Sequence, residues 1–157
     1  MDGVVSRVNL RFLMMTSFDT NIAVHAANGA SPWHDAARQF LQSLAPRKDV
    51  AICELVLVEM YLKLRNEKIF PRPLTAPQAA AICQTYRKNR AWTLIESAPI
   101  MEDIWTQAAA SGFAFRRIID LRLAQTLRHH GVTDFATSNE KDFVGQGFNR
   151  VWNPLLP

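Results

Sequence analysis

A carboxylate set into the apolar stripe of a helix, with a short buried strand directly after that helix, restricts the folds open to a chain. Both features lie between Phe115 and Phe143, which read FRRIIDLRLAQTLRHHGVTDFATSNEKDF. Ile119, Leu123 and Leu127 recur every fourth position with Ala124 alongside, a spacing that predicts one helical face turned to a core. At about 100° per residue, Asp120 falls inside that face, between Leu127 and Ala124. A charge on a core-facing position needs a partner, a hydrogen bond or a metal. Gly131 is expected to end the helix and Val132 to Thr137 to form a buried strand. Ser138, Asn139 and Asp142 then follow at the strand's carboxyl end, where open α/β sheets bind ligands.

The rest of the chain repeats this alternation. Phe12 to Phe18 is an apolar run of strand length suited to a central parallel strand, and Asp19, Thr20 and Asn21 emerge at its end, before a helix over Ile22 to Ala27. Ser31-Pro32 predicts a helix start, with Ala36, Ala37, Phe40, Leu41 and Leu44 as its apolar face. Val50 to Cys53 predicts a second strand, leading into a helix from Glu54 to Leu64 on which Glu59 shares a side with Leu55, Val56 and Leu62. Glu54, at the helix start, is accounted for by the backbone dipole. Phe70-Pro71-Arg72-Pro73 breaks that helix, and Thr75 to Gln78 has capping-box spacing. Thr93 to Ile95 predicts a third strand, Pro99 opens a helix ending near Gly112, and Arg150 to Trp152 predicts a last edge strand stopped by Asn153-Pro154. Strands alternating with helices imply an α/β fold, a central and mainly parallel sheet of four to five strands with helices on both sides.

With 157 residues, 48% of them hydrophobic, a single domain over residues 12–157 with a proper core is expected, after a mobile leader of residues 1–11. No apolar run approaches the roughly 20 residues of a membrane span, so the expected location is the cytoplasm. Cys53 and Cys83 lack CxxC spacing and read as reduced core residues. Trp33, Trp92, Trp105 and Trp152 are scattered and read as core. The net charge of +4 permits a polyanionic partner without demonstrating one.

Four acids stand out: Asp19, Glu59, Asp120 and Asp142. Each has an ordinary structural role open to it: a helix cap for Asp19, a solvated face for Glu59, a first turn for Asp120, a turn for Asp142. Strand ends and apolar helix faces can nevertheless bring them to one cleft. Acids without suitably spaced His or Cys select hard cations, so Mg²⁺ or Mn²⁺ is expected before zinc. His129 and His130 end a helix, and His25 and His34 lack ligand spacing. There is no Gly-rich phosphate loop, no G-x-S-x-G elbow, and no second Asp two residues after Asp19 as an aspartyl-phosphate phosphatase of the DxD type would show. Arg65 and Arg72, after the Glu59 helix, and Arg116 and Arg117, on the Asp120 helix, are candidates to hold a substrate backbone.

Ser17 to Asn21, Glu59 within Val-Glu-Met-Tyr-Leu-Lys-Leu-Arg-Asn, Phe70 to Thr75, Asp120 with Gly131 eleven positions on, Ala136 to Phe143, and Val151 to Pro154 together resemble a PIN-domain nuclease. They look most like the VapC-like ribonuclease toxins of bacterial toxin-antitoxin pairs. The resemblance implies a three-layer α/β/α sandwich whose clustered acids bind Mg²⁺ or Mn²⁺ and hydrolyse RNA. It implies Asp19 and Asp120 as metal ligands, Glu59 completing the acidic cluster, and Asp142 holding a water or second ion. Thr20, Asn21 and Thr137 are then supporting residues. Asn139 stands where many relatives carry Asp; unable to supply charge, it is expected to position water or a carboxylate through its amide. A homodimer and a cognate antitoxin are the implied protein partners. The alternatives are a PIN fold that binds RNA or a partner without cutting, a structural subunit whose acids are all paired with Arg or Lys, and a nuclease acting on DNA.

Overall fold

The computed structural model of the chain describes residues 14–96, 99–114 and 116–157, without the side chains of Met101 and Trp105. The expected leader and the first residues of the first expected strand therefore lie outside it. In chain order the elements are β1 (Met15–Phe18), α1 (Thr20–Ala27), α2 (His34–Leu44), β2 (Ala51–Cys53), α3 (Glu54–Leu64), α4 (Ala76–Arg87), β3 (Thr93–Ile95), α5 (Met101–Ala108), α6 (Arg117–His129), β4 (Val132–Ala136), a 3₁₀ turn at Glu140–Asp142, and β5 (Arg150–Trp152).

All strand pairings are parallel: β1 with β4, β4 with β5, and β2 with β3. A bridge between Thr16 and Val50 joins the two ladders, and the Thr16 amide donates to the Asp49 carbonyl at 2.8 Å. The strands thus run in the order β3-β2-β1-β4-β5, with β5 at an edge as its Asn-Pro stop requires. Parallel neighbours need crossovers of helical length, which the alternating sequence supplies.

Both faces of the sheet are covered, and side-chain alternation along each strand decides which residue meets which layer. Val50 and Ile52 pack with Phe18 and Ala136 against Ile22, Leu41, Leu57, Met60 and Leu64 of α1, α2 and α3. Ala51 and Cys53 point the other way, with Met15, Val132 and Phe135, onto Leu123, Ala124 and Leu127 of α6. That makes three layers, helices on both sides of the sheet. Cys53 and Cys83 are free thiols, buried and half-buried. Thr75 and Gln78 form the expected capping box at α4, exchanging backbone bonds of 3.4 and 3.0 Å.

Four expectations change. Ile119 is 56% exposed, and Leu121 is buried instead. The two lie on opposite edges of the α6 stripe, and Ile104 of α5, with Ile100 just before that helix, packs on the Leu121 edge. Leu62 is 62% exposed, because the buried arc of α3 runs through Val56, Leu57, Met60 and Leu64 and leaves Glu59 at its border. The second helix starts at His34 rather than at Pro32: the Ser31 hydroxyl takes the Trp33 amide at 3.1 Å and its carbonyl takes the His34 amide, making a turn before the helix. Trp33 is consequently exposed at that helix end, whereas Trp92 and Trp152 pack against the core.

Candidate active site

After β1 the chain crosses to β2 on one side of the sheet, while from β4 it crosses to β5 on the other. The crevice at the carboxyl ends of β1 and β4 is therefore a topological switch point. Asp19 and Thr137 are the first residues beyond those two strands, and both are buried. Asp19 caps α1, its Oδ1 accepting the Thr20 amide at 2.7 Å. Its Oδ2 accepts the Thr137 hydroxyl at 2.8 Å and the Asn21 side-chain amide at 3.4 Å. Helix capping and a place in the crevice are thus both filled by one carboxylate.

The network continues outward in two directions. The Thr20 hydroxyl donates to Glu59 Oε2 at 2.9 Å, tying the border of α3 to the start of α1. The Thr137 hydroxyl accepts the Asn139 amide N–H at 3.0 Å, and the Asn139 side-chain amide donates to Asp142 Oδ2. Asp142 sits on the 3₁₀ turn, which is anchored by fully buried Phe143, its ring 4.7 Å from that of Phe135 on β4. Asp120, in the first turn of α6, shares a cavity wall with Asp142.

Electrostatics mark the same residues. Burial raises the Asp19 carboxyl above its usual range although Thr137 and Thr20 hydrogen bonds oppose the shift, and nearby Glu59 raises it further. Asp120 is pushed up to about 6, first by desolvation and then by Asp19, Asp142 and Glu59. Among the described residues the salt bridges that form are Arg47 with Asp49 and Arg87 with Glu54, and neither involves one of the four acids. Lys63, one turn beyond Glu59, lowers both Asp19 and Asp120 from a distance without offsetting their burial.

Carboxylates crowded together, their bonds drawn from hydroxyls and amides, suit a divalent ion. Among the described residues, though, no three His, Cys, Asp or Glu side chains stand close enough to enclose one by themselves. Mg²⁺ is ordinarily held by one or two carboxylates and keeps several waters, so Asp19 and Asp120 fit such an ion, whereas an all-protein cage is not what these side chains make. Beside Asp120 and Asp142 the surface opens into a cavity of about 290 Å³.

The PIN domain family model matches residues 17–147, from the end of β1 to the loop before β5. The chain belongs to the PIN-domain family. Over 141 residues it is 54% identical to Ribonuclease VapC24 of Mycobacterium tuberculosis, covering 90% of this chain and 97% of that protein. Two solved structures show the same PIN-like fold at low identity. VapC20 of Mycobacterium tuberculosis, described as a sarcin-ricin loop cleaving toxin, has TM-score 0.54 and 15% identity over 76% of this chain and 86% of its own. FitAcB of Neisseria gonorrhoeae has TM-score 0.58 and 18% identity over 89% of this chain and 98% of its own.

Within this PIN domain the geometry gathers Asp19, Thr20, Asn21, Glu59, Thr137, Asn139 and Asp142 into one bonded network and brings Asp120 against it. Of the basic candidates, Arg116 and Arg117 line the adjoining cavity, while Arg65 stacks on Tyr61 with its guanidinium 5.4 Å from the ring centre and Arg72 is exposed in the proline-rich turn. Neither Arg65 nor Arg72 lines that cavity. Lys63, Lys141 and Gln146 were not legible as site residues. The four-residue spacing from Glu59 to Lys63 was the available signal for the first.

Proposed function

We propose that this PIN-domain protein is a metal-dependent endoribonuclease that hydrolyses RNA phosphodiester bonds, acting as the toxin of a toxin-antitoxin pair. The observation that carries the reading is the set of acids at the switch point of the sheet, with Asp120 repelled by Asp19, Asp142 and Glu59. The 54% identity to a protein named as a ribonuclease supports the choice of RNA over DNA.

In this reading Asp19 and Asp120 hold Mg²⁺ or Mn²⁺, and Glu59 adds negative charge from the far side of Thr20. When bound, such an ion would supply positive charge toward the phosphoryl oxygens and make water a better nucleophile. Thr137 and Thr20 fix Asp19 by donating to it and holding its neighbours, so the carboxylate arrives oriented. Asn139 occupies Asp142 Oδ2, which leaves Oδ1 to orient the attacking water and take its proton. Water oxygen bonds to phosphorus in line as the bond to the departing ribose oxygen breaks; Asp142 takes one proton of the water, and the departing oxygen takes its proton from solvent. Arg116 and Arg117 approach the backbone phosphates. A cognate antitoxin is the inhibiting partner, a homodimer is the assembly, and the cytoplasm, where the RNA is, is the place of action.

Purified protein incubated with cellular RNA should cut it with Mn²⁺ and not without. Asp19→Asn and Asp120→Asn should each reduce cleavage by at least about 10²-fold while unfolding stays cooperative. Full activity in either variant would reject the assigned roles. One rival is a PIN domain that holds RNA without cutting it. Calorimetric titration with Mn²⁺ separates the two, since the rival has no need to bind the ion.

A further inference from the structure

The cavity next to Asp120 and Asp142 has walls that the carboxylate chemistry does not use. One is cationic: Arg116 and Arg117 at the start of α6, and Lys141 on the 3₁₀ turn. The Arg117 guanidinium lies 5.7 Å from the Phe113 ring centre, a contact that orients it. The lining also includes Val144, 65% exposed, and half-buried Gln146. The apolar Val144 offers nothing to a bare phosphate, and the Gln146 carboxamide can accept as well as donate, which a phosphate cannot use in full.

Gln146 is also held in place. It is flanked by Gly145 at φ 85° and Gly147 at φ 93°, left-handed conformations that side chains rarely adopt. Its amide donates to the Phe143 carbonyl at 3.2 Å, and a Cβ on Gly147 would come 3.2 Å from Arg128 Nε. The turn therefore presents Gln146 from a fixed platform continuous with buried Phe143. With an N–H₂ donor and a carbonyl acceptor side by side, a carboxamide matches the polar edge of a nucleobase.

We infer that this cavity takes the single nucleotide adjoining the cleaved bond, its flanking phosphate against the cations and its base over Val144 with the edge read by Gln146. The inference rests on the ribonuclease reading and adds to it a position of base selectivity. Size agrees: about 290 Å³ is at the small end of the roughly 300–1,000 Å³ usual for ligand sites, room for one nucleotide and not a run of them.

The test is cleavage of a randomised RNA pool with Mn²⁺ by the full-length protein, with end sequencing of the fragments. The wild type should show a base preference of about tenfold at one position next to the cut. Gln146→Ala should flatten that preference to under about twofold and keep preferences elsewhere. Lys141→Ala should instead raise KM for all sequences alike and keep the preference, as loss of a phosphate contact does. A wild type that cuts RNA, paired with a Gln146→Ala protein that cuts with the same preference at every position, overturns the cavity assignment alone. A wild type that cuts no RNA overturns the ribonuclease reading and this inference with it.

Discussion

Folding brings Asp120 beside Asp19, Asp142 and Glu59, and carboxylates gathered out of water resist ionisation. The consequence for stability has a definite sign. Asp120 ionises near 3.8 in the unfolded chain and near 6 when folded, so between those values the folded state binds more protons. Its contribution is fully present below about pH 4 and is lost as pH rises through about 6. Without divalent ions, the part of the unfolding free energy due to this group should fall across that window, and Asp120→Asn should remove the fall. At pH 7 the variant should be more stable than wild type by about 1 kcal/mol, a figure reduced for the half-exposed position of the carboxylate. Urea unfolding at several pH values checks both statements. A variant with the same pH dependence as wild type would show that Asp120 does not feel its neighbours.

At the level of elements, the same segment both packs and positions. Phe143 is fully buried against Phe135 and lies next to Asp142, so the 3₁₀ turn owes its place to an aromatic contact. Phe143→Ala should cost about 3–5 kcal/mol and also depress cleavage. Thr75→Ala, which removes the capping box of distant α4, should cost about 1 kcal/mol and leave cleavage alone. Thermal unfolding with parallel activity assays on both variants distinguishes a site held by packing from one that merely tolerates it. Much of this arrangement was legible in the sequence. The α3 and β3 boundaries and the capping box follow from local pattern, and the strand ends place Asp19 and Thr137 because polar residues stop apolar runs. What local pattern does not carry is which neighbour an element acquires. Ile119 and Leu121 are both apolar, and packing against Ile100 and Ile104 buries Leu121 while Ile119 stays exposed. Gln146 was silent for the same reason, since its place depends on a turn built by two glycines and on a cavity formed by α6.

Across the whole molecule, a parallel sheet ordered β3-β2-β1-β4-β5 gives one crevice, and charge is distributed unevenly around it. The chain carries a net charge of +4, yet its crevice concentrates acids and sets Arg116, Arg117 and Lys141 to one side. A polyanion would be repelled by the acids and retained by those cations, so its binding should be governed by counterion release. Each single-strand phosphate neutralised releases about 0.7 of a counterion, and three cations then give a slope near −2 in log K against log salt. Raising salt from about 50 to about 200 mM should accordingly raise KM for RNA roughly 20-fold. The chemical step uses groups already in place, so kcat should stay nearly constant. Lys141→Ala should reduce the slope by about 0.7. Steady-state kinetics at four salt concentrations, with Mn²⁺ held saturating, measure both quantities. A KM indifferent to salt would mean that the strand is held by contacts other than these cations, and a kcat that fell with KM would place the salt-sensitive contact at the reacting phosphate itself.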